Sequence, residues 1–157
     1  MITTENGKIL KTVIEKKYYD TSFVESITKN NRTTQIEHNL NTSKRMIISP
    51  EGRKVSFLYN QDTLLLTEIS VPGNLNIQYD YYNNGRLKTI QQGERFTIYD
   101  YHNNGFLKST TDSENRTTLY EYDEIGRVEK VVRSDNSIIQ FDYGQYGNLI
   151  IINPNGI

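Results

Sequence analysis

YDYYNNGRL at residues 79–87, YDYHNNGFL at 99–107, YEYDEIGRV at 120–128 and FDYGQYGNL at 141–149 align without a gap. Their glycines, Gly85, Gly105, Gly126 and Gly147, stand 20, 21 and 21 residues apart. Four residues before each glycine is a tyrosine: Tyr81, Tyr101, Tyr122 and Tyr143. Upstream, the tyrosine column continues through Tyr59, His38 and Tyr18 at intervals of 22, 21 and 20, with Thr63, Thr42 and Ser22 in the glycine column. A fixed period of roughly 21 residues marks a tandem array whose units bury surface against their neighbours. About seven repeats fill the chain, and the first three lack the glycine.

A second punctuation precedes each tyrosine by seven or eight residues: Asn31, Gly52, Gly73, Gly93, Asn115 and Asn136. Asn and Gly tolerate positive φ, so two turns bound two strands in every repeat. Runs such as RFTIYDYH and SIIQFDY between the turns are rich in β-branched and aromatic residues and too short for helices. The expected fold is all-β: tandem β-hairpins forming one extended, twisted antiparallel meander sheet of about fourteen strands. Asp123-Glu124-Ile125-Gly126 reads as a type I turn with its glycine in a G1 bulge. That loop sets each tyrosine opposite an aliphatic residue: Leu65, Leu87, Leu107, Val128 or Leu149. One step further from the turn, Asp80 is expected opposite Lys88, Asp100 opposite Lys108 and Glu121 opposite Glu129.

Composition supports the sheet and removes several functions. Hydrophobic residues make up 35%, the mean hydropathy is −0.67, and twelve of the aromatics are tyrosines, which suits faces that are only partly dry. Eighteen basic and nineteen acidic residues leave a net charge of −1, so no field favours nucleic acid. The absence of cysteine excludes disulfides, thiolate metal sites and a cysteine nucleophile. No run approaches a membrane span, and MITTENGKIL lacks the apolar core of a signal peptide.

The string Y-D-x-x-G-R-L, met in YDYYNNGRL, YDYHNNGFL and YEYDEIGRV, resembles the YD-repeat signature of RHS proteins, Tc-toxin B/C shell components and teneurins. ISPEGRKVSF (48–57) and INPNGI (152–157) are similar to the D-P-x-G-R segment that joins repeats in that family. The resemblance divides one continuous array into degenerate YD-like repeats over 1–48 and well-formed YD repeats over 49–157. It implies a strip of a YD-repeat shell, a non-enzymatic scaffold within a bacterial secreted toxin or surface protein. The implied partners are the remainder of a larger YD-repeat protein and the toxin domain it encloses. The implied location is secreted or at the cell surface. Fourteen strands about 4.8 Å apart span roughly 65 Å, a strip of wall and not a closed shell. The array stops at Asn153–Ile157, where another repeat is due, so a fragment of a longer protein or a stand-alone member is expected. Open edge strands invite self-association.

Candidate chemistry is sparse. His38 and His102 lie in different repeats, with no nucleophile or acid set beside either, so no catalytic residue is expected. Asp80, Asp100, Glu121 and Asp142 recur one residue before the tyrosine, but hard cations need oxygens converging from a loop or cage. A period-matched row reads as a solvated face, and no metal is expected. Neither GxGxxG nor GK[ST] occurs, and no cofactor is expected. Sequons begin at Asn31, Asn41 and Asn115. Tyr81, Tyr101 and Tyr122 form the candidate binding face, because aromatic rings stack on sugars as well as on neighbours. The alternative function is therefore an adhesin-like module recognising glycans or a protein partner. Recurrence of the column in every repeat favours packing.

Overall fold

The computed structural model describes residues 2–5, 8–144, 147 and 149–155, with side chains over 12–144 and at 147 and 149. The strands are β1 (Ile2–Glu5), β2 (Lys8–Tyr19), β3 (Ser22–Lys29), β4 (Arg32–Asn39), β5 (Lys44–Ile48), β6 (Lys54–Tyr59), β7 (Leu66–Ser70), β8 (Ile77–Tyr81), β9 (Leu87–Gln92), β10 (Arg95–Tyr101), β11 (Leu107–Asp112), β12 (Thr117–Tyr122), β13 (Val128–Val132), β14 (Ile138–Tyr143) and β15 (Leu149–Asn155). Strand order follows chain order, an open antiparallel meander of the class the period predicts. Gly156 and Ile157 of the INPNGI segment lie outside the described residues. Two compact units, 1–79 and 80–157, divide the chain within β8.

No side chain among the described residues is buried, so the sheet is held by pairs between adjacent strands. In residues 80–157, pleating puts Tyr99, Tyr101, Tyr120, Tyr122, Leu107 and Val128 on one face. Ile98, Asp100, Leu119, Glu121 and Lys130 take the other. The aromatic face is half-buried throughout, while Ile98 and Leu119 stay exposed.

One five-residue turn recurs at 49–53, 82–86, 102–106, 112–116, 123–127 and 133–137. Its first N–H donates to the fifth carbonyl (2.8–3.1 Å), and its fourth N–H donates to the first carbonyl (2.8–3.0 Å). The fourth residue is in each case Gly or Asn at positive φ: Gly52, Gly85, Gly105, Asn115, Gly126 or Asn136. Other residues lose about 1–2 kcal/mol there, because Cβ crowds the following carbonyl. Asp112 and Asp123 occupy the first position, and each Oδ1 accepts the N–H of the third and fifth residues. Their Oδ2 atoms take Nε of Arg116 (2.8 Å) and Arg127 (2.7 Å).

Beyond the tyrosine the ladder departs from the expected register. Tyr101 opposes Leu107 and Tyr122 opposes Val128, but Asp100 then opposes Ser109 and Glu121 opposes Lys130. A bulge leaves Lys108 and Glu129 as extra residues. Glu121 therefore meets Lys130 at 2.9 Å and not Glu129, while Lys108 still reaches Asp100 at 3.2 Å. The acidic column has a backbone role at two positions, one beside a bulge and one in continuous register. Asp100 and Asp142 each turn Oδ1 onto the N–H of the following tyrosine, at 3.0 and 2.9 Å.

The early tips solve the turn differently. Tyr59 pairs with Leu66 and not Leu65, because this loop is one residue longer: Asn60 N–H reaches Leu65 C=O, and Leu64 N–H reaches Asn60 C=O. Leu64 (φ 58°), not Thr63, takes the left-handed position, as Ser43 (φ 49°) does in place of Thr42. Ser22 is a strand residue, because Tyr19 pairs with it around the two-residue turn Asp20-Thr21.

Leu64 is a branched, 71% exposed side chain held in the glycine conformation. Leu64→Gly is expected to raise stability by about 1 kcal/mol, as glycine relieves that backbone strain. The urea unfolding midpoint reads this, and an unchanged or lowered midpoint counts against strain at Leu64.

Candidate functional site

The tyrosine and glycine columns meet in a row of interlocked tips within residues 80–157. The residue after Gly85, Gly105 and Gly126 leaves its own hairpin and lies over the next. Arg86 sits over the Tyr101 ring at 5.6 Å, Phe106 stacks on Tyr122 at 4.9 Å and 22°, and Arg127 lies 4.0 Å from the Tyr143 ring. Arg86 and Phe106 also cross the next glycine, whereas nothing lies within 4 Å of a Cβ placed on Gly147. A Cβ on Gly105 would collide with the Arg86 guanidinium, and one on Gly126 would come 2.6 Å from Phe106 Cζ. Glycine is thus needed twice, once for its φ and once for the absence of a side chain.

Further contacts tie the rings down. Tyr82 meets Tyr101 edge-on (6.2 Å, 84°), and His102 meets Tyr122 likewise (6.4 Å, 87°). Tyr143 donates its hydroxyl to Val128 C=O at 2.6 Å, one hairpin back, and Tyr82 donates to Tyr99 C=O at 3.1 Å. Partial burial pushes the Tyr101 and Tyr122 phenols above their ordinary pKa.

Of the candidate binding face, Tyr101 and Tyr122 carry Arg86 and Phe106 on their rings, and Tyr81 ends β8, half-buried. Tyr59 lies under Arg45 at 5.7 Å. Gly85 (φ 80°), Gly105 (96°), Gly126 (86°) and Gly147 (76°) all occupy turns. The tyrosine–glycine period did not reveal the crossing residue. Its signal was the column immediately after the glycine, occupied by the long side chains of Arg86, Phe106 and Arg127.

The ionisable groups are arranged for structure. The Arg116 guanidinium holds Asp112 below the usual carboxylate range, helped by backbone N–H groups. Lys108 and the Tyr101 N–H lower Asp100, and Ser137 lowers Asp135. At Asp123 burial is the largest single influence and acts upward, but the Arg127 N–H and guanidinium outweigh it and the carboxyl stays low. His38 stacks flat on Phe23 (4.1 Å, 9°), and its Nε2 lies 3.4 Å from Glu25 Oε2 without hydrogen-bond geometry. Glu25 is itself paired with Lys16. Among the described residues no three His, Asp or Glu side chains converge on a metal position.

The teneurin YD-shell family model matches residues 76–154. No curated protein sequence matches. The crystal structure of TcdB2–TccC3–Cdc42 contains a similar fold, with a TM-score of 0.59 and 14% identity over 83% of this chain. This chain spans 8% of the length of that one.

Two predictions follow the geometry of the row. Gly52→Ala meets only backbone strain, of about 1–2 kcal/mol, since nothing lies within 4 Å of its Cβ position. Gly126→Ala also strikes Phe106 and is expected to cost about 1–3 kcal/mol more. In a Phe106→Ala background that excess should vanish, and a double-mutant cycle in urea showing no coupling would refute the floor contact. Separately, Asp100, Asp112, Asp123 and Asp135 are all depressed in the folded state, so the unfolded chain binds protons more readily. Their stabilisation is complete above about pH 4, the unfolded aspartate value, and fades as pH falls through the lower folded values. Asp112→Asn should flatten this acid limb in a series of urea midpoints against pH; a limb of unaltered steepness refutes the assignment.

Proposed function

The chain belongs to the teneurin YD-shell family, and from that premise we propose that it is a non-enzymatic wall segment of a larger YD-repeat protein. The observation that carries this reading is the interlock, in which each tip completes the next and the recurring side chains are committed to one another. Residues 49–157 are the well-formed part of the array, and the first of the shared five-residue turns stands at Ser49–Arg53. The resemblance to Tc-toxin B/C shells supports a place in a bacterial secreted toxin or surface protein, outside the cell, with the neighbouring repeats and an enclosed toxin domain as partners. Recognition of glycans or proteins through the Tyr101 and Tyr122 ring faces is the weaker reading, because Arg86 and Phe106 already cover them.

A wall has an inside and an outside. Thr110 and Thr111 are adjacent on β11 and point to opposite faces, and the chain has no cysteine of its own. In the protein assembled with its neighbouring repeats, only one of Thr110→Cys and Thr111→Cys is expected to react with a bulky maleimide. Equal labelling of both would overturn the wall reading in favour of a free-standing sheet.

A further inference from the structure

Arginine stacks on the tyrosine of the following hairpin three times: Arg45 on Tyr59 (5.7 Å), Arg86 on Tyr101 (5.6 Å) and Arg127 on Tyr143 (4.0 Å). What differs is the partner of each guanidinium. Arg127 is taken by Asp123 Oδ2 at 2.7 Å. Arg86 shares its groove with the carboxylate of Asp100, and the nearby Lys88 reaches Asp80 at 3.7 Å. Arg45 and the adjacent Lys44 have no carboxylate within 4.0 Å among the described residues, and no acidic residue lines their groove. Glu37 lines the adjoining groove together with Lys44, which leaves Arg45 as the cation with no carboxylate partner.

This groove, of about 470 Å³, lies between the tips at 40–43 and 60–65, within the range of small-molecule sites. A guanidinium lying over a phenol can offer its edge to a planar carboxylate in the bidentate arrangement. Lys44, adjacent on β5 and paired with Asn39, projects to the opposite face. Gln61 lines the same groove, its Nε2 engaged by the Asn41 carbonyl and its amide oxygen left for a polyhydroxylated ligand. Leu40 and Leu64 form its lips, 61% and 71% exposed, and Leu64 holds that place from a left-handed backbone. Strain and exposed apolar surface combined at one tip fit a binding edge.

We propose that the Arg45 groove binds a carboxylate-bearing sugar, with Arg45 on the carboxylate, the Gln61 amide on a hydroxyl and the leucines against the apolar face of the ring. This goes beyond the wall function and stands or falls apart from it. The test is calorimetric titration of the 157-residue chain, at low salt, with a glucuronate–N-acetylglucosamine disaccharide, its neutral glucose analogue and acetate. Saturable binding of the uronate disaccharide is expected, weakened about tenfold or more by Arg45→Gln. Arg45→Lys, which keeps the charge and loses the fork, should also weaken it, while Arg86→Gln leaves it unchanged. Thermal unfolding checks that each variant is folded. No saturation, equal binding of the neutral analogue, equal binding of acetate, or full affinity in folded Arg45→Gln would each overturn the proposal.

Discussion

The structure depends on a side chain crossing from one hairpin to the next over a glycine that has no Cβ to stop it. An open sheet in which no described residue is buried has no interior to hold it together. Cohesion must come from contacts between neighbours, as in repeat proteins generally. At Gly105 and Gly126 the left-handed turn and the empty floor are the same atom-level requirement, so the residue that closes one tip also seats the previous one. The stacked ring beneath, Tyr101 or Tyr122, gives the crossing side chain a surface to lie on.

The acidic residue preceding the tyrosine belongs to the same device. At Asp100, where a bulge follows the tyrosine pair, and at Asp142, where the ladder runs on unbroken, the carboxylate satisfies the tyrosine amide from one residue away. A glutamate in this column, Glu121, serves instead as the partner of Lys130. Adjacent residues thus divide two jobs: the ring packs between repeats, and at Asp100 and Asp142 the acid holds the tyrosine amide.

Much of this was legible in the sequence because turns impose their chemistry locally. All six residues of the second punctuation, Asn31, Gly52, Gly73, Gly93, Asn115 and Asn136, have positive φ, as their tolerance for that region predicts. A period-2 pattern carries no mark of one extra residue, so the bulge was not legible in it; the one local signal was the like-charge Glu121–Glu129 pair of the unbulged register, which the bulge replaces with Glu121–Lys130. Thr63 and Leu64 are adjacent, and only the Leu64–Asn60 hydrogen bond decides which takes the glycine conformation. The crossing contacts were hidden for another reason. Each joins residues in different repeats, so reading one column at a time could not pair Arg86 with Gly105 or Phe106 with Gly126.

The decayed tips show what happens when the glycine is lost. At Ser43 and Leu64 a Cβ stands where the floor would be, and the chain turns instead to backbone stitching. Leu40 N–H donates to Thr21 C=O (2.9 Å), Tyr59 N–H to Ser43 C=O (3.0 Å) and Gln61 Nε2 to Asn41 C=O (2.5 Å). Two of these bonds are backbone to backbone, and the third lays the Gln61 side chain from one tip to the other. A groove also lies between the glycine-bearing tips beside Arg86, so what sets the Arg45 groove apart is its uncommitted guanidinium, which follows from the absence at this tip of the aspartate that occupies Arg127.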